Sequence, residues 1–149
     1  MLLKDNNGLK GHIDIVLYDE NGNIKDERHI HNLVVTAGKT YLAAWLAAAS
    51  QAGEFMTWIG LGEGGGGPAI GDVDLVSPLA TRVDGTLSSV GNVWQNQATF
   101  GAGVNTGALT EAGLFSASSS GTMFARQVFP VVNKQAADSI TITWSLTLG

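Results

Sequence analysis

Ten consecutive residues, Ser139 to Leu148 (SITITWSLTL), alternate between hydroxylic and apolar side chains without a break. Ile140, Ile142, Trp144, Leu146 and Leu148 share one face; Ser139, Thr141, Thr143, Ser145 and Thr147 share the other. Successive side chains of a strand point to opposite sides of the sheet, so this period of two specifies a half-buried β-strand with an uncharged outer face. No catalytic cluster accompanies it. The expectation is a structural or binding β-protein, not an enzyme.

The 149 residues suffice for one domain with a real core, and a hydrophobic share of 44% excludes a disordered chain. Only 14% of residues are charged, so Ser, Thr, Asn, Gln and Gly must build much of the surface. A net charge of -5 disfavours direct contact with nucleic acid, which needs clustered Lys and Arg. Without cysteine there is neither a disulfide framework nor a thiolate metal site. Residues 1–5 open no signal-like apolar segment, and the longest apolar run, Tyr41 to Ala49, is too short to span a bilayer. A soluble protein made in a cytoplasm, with no membrane partner, is expected.

Gly11 to Leu17 alternates as a strand, Asn21-Gly22 is a strong hairpin signal, and Ile24 to Val35 reads as the return strand. Ten of the charged residues fall in residues 1–31, which marks this part as solvated or salt-bridged. Thr36 to Ala52 is the one helical pattern, with Thr36 as a cap and Gly53 as a stop. Phe55 to Leu61 is a short apolar strand. Gly62 to Gly71, with four consecutive glycines and Pro68, reads as a flexible loop, and Asp72 to Arg82 as holding a helical turn. Strands follow at Asn92–Phe100, Leu109–Phe115, Met123–Val131 and Ser139–Leu148. The fold expected is mainly β: an antiparallel β-sandwich or jelly roll in a single domain, residues 1–149. It comprises an N-terminal hairpin (1–35), one apolar helix (36–52) and C-terminal strands (90–149).

Several motifs match in form but not in physics. Gly60-x-Gly62-x-x-Gly65 lacks the helix whose N-terminus would meet a pyrophosphate; more glycines and Pro68 follow instead. Gly38-Lys39-Thr40 lacks the first P-loop glycine, since position 33 is Leu. Asp19, Asn21 and Asn23 have calcium-like spacing, but Ile24 and Ile30 stand where an EF-hand needs Gly and a carboxylate. A plain hairpin turn fits better. No Gly-x-Ser-x-Gly elbow is present, and His12, His29 and His31 are the only imidazoles. The four tryptophans, Trp45, Trp58, Trp94 and Trp144, sit at apolar-phase positions that suit core packing better than glycan stacking. No catalytic residue and no cofactor is expected.

Two features carry possible interactions. His29 and His31 lie on one face of a strand, and in a trimer three such pairs around an axis could bind one transition metal. The plainer reading is a pair of exposed or interfacial histidines. Glu111 and Arg126 stand in otherwise apolar β segments, where an ion pair across adjacent strands would satisfy both; two separate solvated ends are the alternative.

LTEAGLF at 109–115, GTMFARQVF at 121–129 and ITITW at 140–144 resemble small structural proteins of tailed-bacteriophage virions. NLVVTAG at 32–38, leading into an apolar helix, is similar to the same group. The resemblance implies a virion component, favoured as a capsid decoration (cement) protein on the capsid exterior, made in the cytoplasm of a host bacterium. Its partners would be the major capsid protein and itself, as a homotrimer. Gly64, Gly65, Gly66, Gly67, Pro68, Arg28 and Trp45 are then the interface candidates. The alternative within the group is a tail, fibre or baseplate component binding a host-surface glycan.

Overall fold

The computed structural model describes residues 9–47 and 55–148; the side chains of Asn32 and of residues 43–47 fall outside that description. Nine strands and one helix follow in the order β1 (Lys10–Tyr18), β2 (Ile24–Val34), α1 (Thr36–Ala47), β3 (Trp58–Gly62), β4 (Pro78–Asp84), β5 (Thr86–Val90), β6 (Val93–Phe100), β7 (Gly107–Phe115), β8 (Met123–Lys134) and β9 (Ser139–Thr147). All strand pairs are antiparallel, in the spatial order β4-β3-β7-β8-β2-β1-β9-β6-β5. They form two sheets sharing β2. Gly11–Asn32 through Tyr18–Ile24 pair β1 with β2, whereas Leu33 and Val34 turn to pair with Arg126 and Ala125 of β8.

The expected β-sandwich is therefore present, and its core comes from both sheets. Ile13, Ile15 and Leu17 of β1 and Ile140, Ile142 and Trp144 of β9 pack with Ile59, Leu61, Leu109, Leu114 and Val132 of the other sheet, all at most 2% exposed. Burying one such side chain contributes about 1.5–3 kcal/mol. The C-terminal strand buries the face that its alternation marks, except at Leu148, which lies past the end of β9 and is 54% exposed. The opposite face is half-buried. Its hydroxyls meet long or hydroxylic neighbours on β6: Thr141 and Thr99 (2.8 Å), Thr143 with the Gln97 amide (3.0 Å), and Ser145 with the Gln95 amide (3.1 Å).

The hairpin turn uses its oxygens internally. Gly22 adopts φ +82°, which glycine tolerates, and Asp19 Oδ1 accepts from the Asn21 (2.9 Å) and Asn23 (2.8 Å) N–H groups. The Asn23 side-chain and backbone bonds hold the Asp19 carboxyl below its ordinary range.

The sandwich is laced on both sides. On one, β2 crosses between sheets. On the other, the chain runs directly from β4 to β5 through Gly85, whose N–H donates to Thr57 O (2.7 Å). Asn96, buried on β6, donates across to Met56 O (3.0 Å) and Thr57 O (2.8 Å) ahead of β3.

Three expectations are corrected. Asp72 to Arg82 contains no helix; a turn leads into strand β4, which starts at Pro78, where a missing N–H is harmless on an edge. Strand β5 was not expected at all. Strand β8 runs on past Val131 to Lys134, because Pro130 sits in a bulge: Glu111 pairs with Val128 and Leu109 with Val132, leaving extra residues on β8. The helix is described to Ala47; residues 48–52 and the proposed stop at Gly53 lie outside the described residues.

The β8–β9 turn is tied to β2 by Lys25 Nζ on Asp138 Oδ2 (2.7 Å), which also accepts from Gln135 N (2.8 Å). Lys25, then the Gln135 N–H, holds the Asp138 carboxyl below its usual range. A depressed folded-state pKa contributes stability that is present above the unfolded value of about 3.9 and lost as pH falls through the folded one. Asp138→Asn should lower stability at neutral pH and flatten the acid limb of the pH–stability curve, measured by denaturant unfolding from pH 7 to pH 2. An unchanged acid limb would contradict the assignment.

Candidate functional site

Glu111 on β7 and Arg126 on β8 are 0% and 1% exposed, set among apolar and glycine neighbours in EAGLF and MFAR. Isolated charges do not persist there without full compensation. Arg126 Nε and Nη2 each lie 2.9 Å from Glu111 Oε2, so the two form a buried ion pair. Register sets Arg126 opposite Gly113 and Glu111 opposite Val128, so the two are diagonal neighbours on one face.

The pair does more than neutralise itself. Glu111 Oε1 accepts from Gly64 N (3.1 Å) and Ser77 N (2.7 Å), and Oε2 from Val76 N (3.1 Å). Arg126 Nη1 donates to Asp72 Oδ2 (3.0 Å), and Nη2 reaches Gly66 O (3.3 Å) and Gly65 O (3.5 Å). The Ala69 N–H, then the Arg126 guanidinium, holds the Asp72 carboxyl below its ordinary range. Thr110 Oγ1 donates to Gly64 O (2.8 Å), Glu63 N to Ser77 O (2.9 Å), and Thr36 N to Ile70 O (2.8 Å). The glycine-rich segment read as flexible is thus anchored at both ends by one buried pair.

Glycine is required by close approach. A Cβ at Gly62 or Gly64 would overlap the Glu111 carboxylate, whereas one at Gly65 or Gly67 would meet open space. Of the interface candidates, Gly64 is buried against Glu111 and presents no surface. Gly65, Gly66 and Gly67 are exposed and Pro68 is half-buried. Arg28 donates to its own strand's Asp26 (3.0 Å). The Trp45 side chain lies outside the described residues. The exposed apolar side chains of this segment are ones the sequence reading passed over: Ile70 (61%), Val73 (72%) and Val76 (64%). Their signal was three apolar residues spaced by three between glycines and Pro78.

A second cluster lies on the outer face of the β1–β2 hairpin. His12 stands opposite His31, and Asp14 opposite His29. Asp14 Oδ1 is 2.8 Å from His12 Nε2 and 2.5 Å from His29 Nδ1, and His29 Nε2 is 3.1 Å from Glu27 Oε1. The Asp14 hydrogen bond raises the His29 pKa above its ordinary value. The His12 and His29 rings stack nearly parallel (7°, centroids 6.5 Å apart), and His31 meets His12 edge-on at 5.4 Å. Sequence reasoning singled out His29 and His31 but missed His12 and Asp14. Folding the hairpin symmetrically about Asn21-Gly22 was the available signal.

An apolar cavity of about 290 Å³ is bordered by Tyr41, Phe55, Met56, Trp94 and Leu148, with no charged side chain lining it among the described residues. Trp144 is fully buried in the core, while Trp58 and Trp94 are half-buried against it. No protein-family model, curated protein or solved structure matches the chain.

Glu111→Gln should cost about 3–5 kcal/mol in denaturant unfolding, because Arg126 loses its fully buried counter-charge and keeps only the partly exposed Asp72. Gly64→Ala should cost about 1–3 kcal/mol through overlap with the Glu111 carboxylate. Gly65→Ala should be close to neutral. Equal effects of the two alanines would refute the anchoring.

Proposed function

We propose that this chain is a non-catalytic structural component of a tailed-bacteriophage virion: a capsid decoration protein that binds the outer shell and bridges neighbouring major capsid subunits. The observation that carries the reading is the anchored 62–77 segment. It holds Ile70, Val73 and Val76 in solvent on a backbone fixed by the Glu111–Arg126 pair. An apolar surface fixed before binding loses little conformational entropy on docking. The sequence motifs that resemble virion proteins supply the class of partner.

The mechanism is mass action. A protein that binds the assembled shell and not its separated subunits stabilises the shell, and several copies acting together add avidity. Self-association as a trimer at local threefold points of the shell belongs to the same proposal.

Two measurements test it. Densitometry of purified particles should give a simple ratio of this chain to the major capsid band; a ratio of a few per cent would move it to the tail, and absence would end the virion reading. The double variant Val73→Asp, Val76→Asp should unfold within about 0.5 kcal/mol of the parent, since both side chains are exposed. It should fail to decorate stripped shells. Undiminished decoration would exclude the 62–77 segment as the contact.

A further inference from the structure

We propose that the outer face of the β1–β2 hairpin is a metal site, in which His12, Asp14 and His29 of a single chain chelate one divalent transition ion of the Zn²⁺ type. The donors come from two paired strands. His12 and Asp14 project from one face of β1 at i and i+2, and His29 is the cross-strand partner of Asp14. One donor atom from each lies within 4.8 Å of the other two.

Ligand bonds of about 2.0–2.2 Å in a tetrahedral shell set donor atoms about 3.4 Å apart. The 2.8 Å and 2.5 Å separations around Asp14 Oδ1 would open to that spacing by small side-chain rotations. The nearly parallel His12 and His29 rings each present a nitrogen to Asp14 Oδ1, so an ion would replace the two hydrogen bonds there. Imidazole nitrogen with carboxylate oxygen is a borderline donor set that suits zinc better than calcium or magnesium.

Glu27 strengthens the assignment. Its Oε1 lies 3.1 Å from His29 Nε2, so once an ion takes the Nδ1 side it accepts the Nε2–H and holds that tautomer. A carboxylate behind a ligating imidazole fixes its tautomer and raises its basicity. The scaffold is firm, since β1 is hydrogen-bonded along its length to β2 on one side and β9 on the other. His31 lies beside the cluster, edge-on to His12 at 5.4 Å. The site needs no threefold axis: the hairpin's register supplies from one chain the ligands that a row of His29 and His31 alone would have to borrow from other copies.

Titration calorimetry of untagged full-length protein, stripped with chelator and then dialysed, tests this with Zn²⁺ as the probe. We expect one ion per chain and a zinc-dependent rise in the thermal midpoint. His12→Ala and His29→Ala should each weaken binding by about tenfold or more, and Glu27→Gln by less. Thermal midpoints of the metal-free variants show that they remain folded, as the partial exposure of both histidines favours. Absence of saturable uptake would overturn the proposal, as would uptake indifferent to both alanines. One ion per three chains would overturn it too, in favour of a site shared between copies.

Discussion

The buried Glu111–Arg126 pair organises this molecule beyond the sheet that contains it. A carboxylate and a guanidinium in an apolar interior need almost every oxygen and N–H matched, and two adjacent strands cannot supply that many partners. The remainder come from residues 64–77, all backbone groups but the Asp72 carboxylate. The loop is therefore shaped by the charges beneath it: three N–H groups converge on the carboxylate, and two carbonyls and a carboxylate converge on the guanidinium. Close approach of the carboxylate in turn dictates glycine at positions 62 and 64. In a chain with so few charges, Glu111, Arg126, Lys134 and Asp138 all lie at 4% exposure or less. Charge serves here to position backbone as much as to solvate the surface.

The surface shows the complementary choice. Sheet face and loop are built largely from hydroxyls, amides, glycines and a few exposed aliphatics, while among the described residues the exposed titratable side chains are densest on the β1–β2 hairpin. The two regions have different physical repertoires. One can contact a partner through shape and apolar burial; the other holds nitrogen and oxygen donors in fixed register.

How much of this could be read from sequence varied with the kind of information needed. Strand β9 was legible because five apolar and five hydroxylic residues alternate without exception, and β1 because Asn21-Gly22 sets the turn beside it. Strands β4 and β5 were not legible. As edges they are largely exposed, so no burial pattern marks them, and Ser77-Pro78 looks like a helix terminus when it is a strand entry. The Glu111–Arg126 pair could be foreseen as one of two alternatives, but its loop partners could not. Gly64 and Val76 lie 47 and 35 residues from Glu111, and backbone N–H groups leave no trace in residue identity. The hairpin cluster fell between these cases: the turn at Asn21-Gly22 sets the register that brings Asp14 and His12 opposite His29 and His31, but the i, i+2 spacing along one strand shows only the two histidines.

The lacing of the sandwich bears on how the molecule can move. Many two-sheet domains can part along a lateral edge, because only side chains join the layers there. Here one lateral edge is closed by β2, a continuous strand belonging to both layers, and the other by the direct β4–β5 passage at Gly85 with the Asn96 amide bonded across it. The layers cannot hinge open like the covers of a book without breaking backbone hydrogen bonds at one side or the other. Parting the two sheets therefore works against the continuous chain at both edges and not against the core alone.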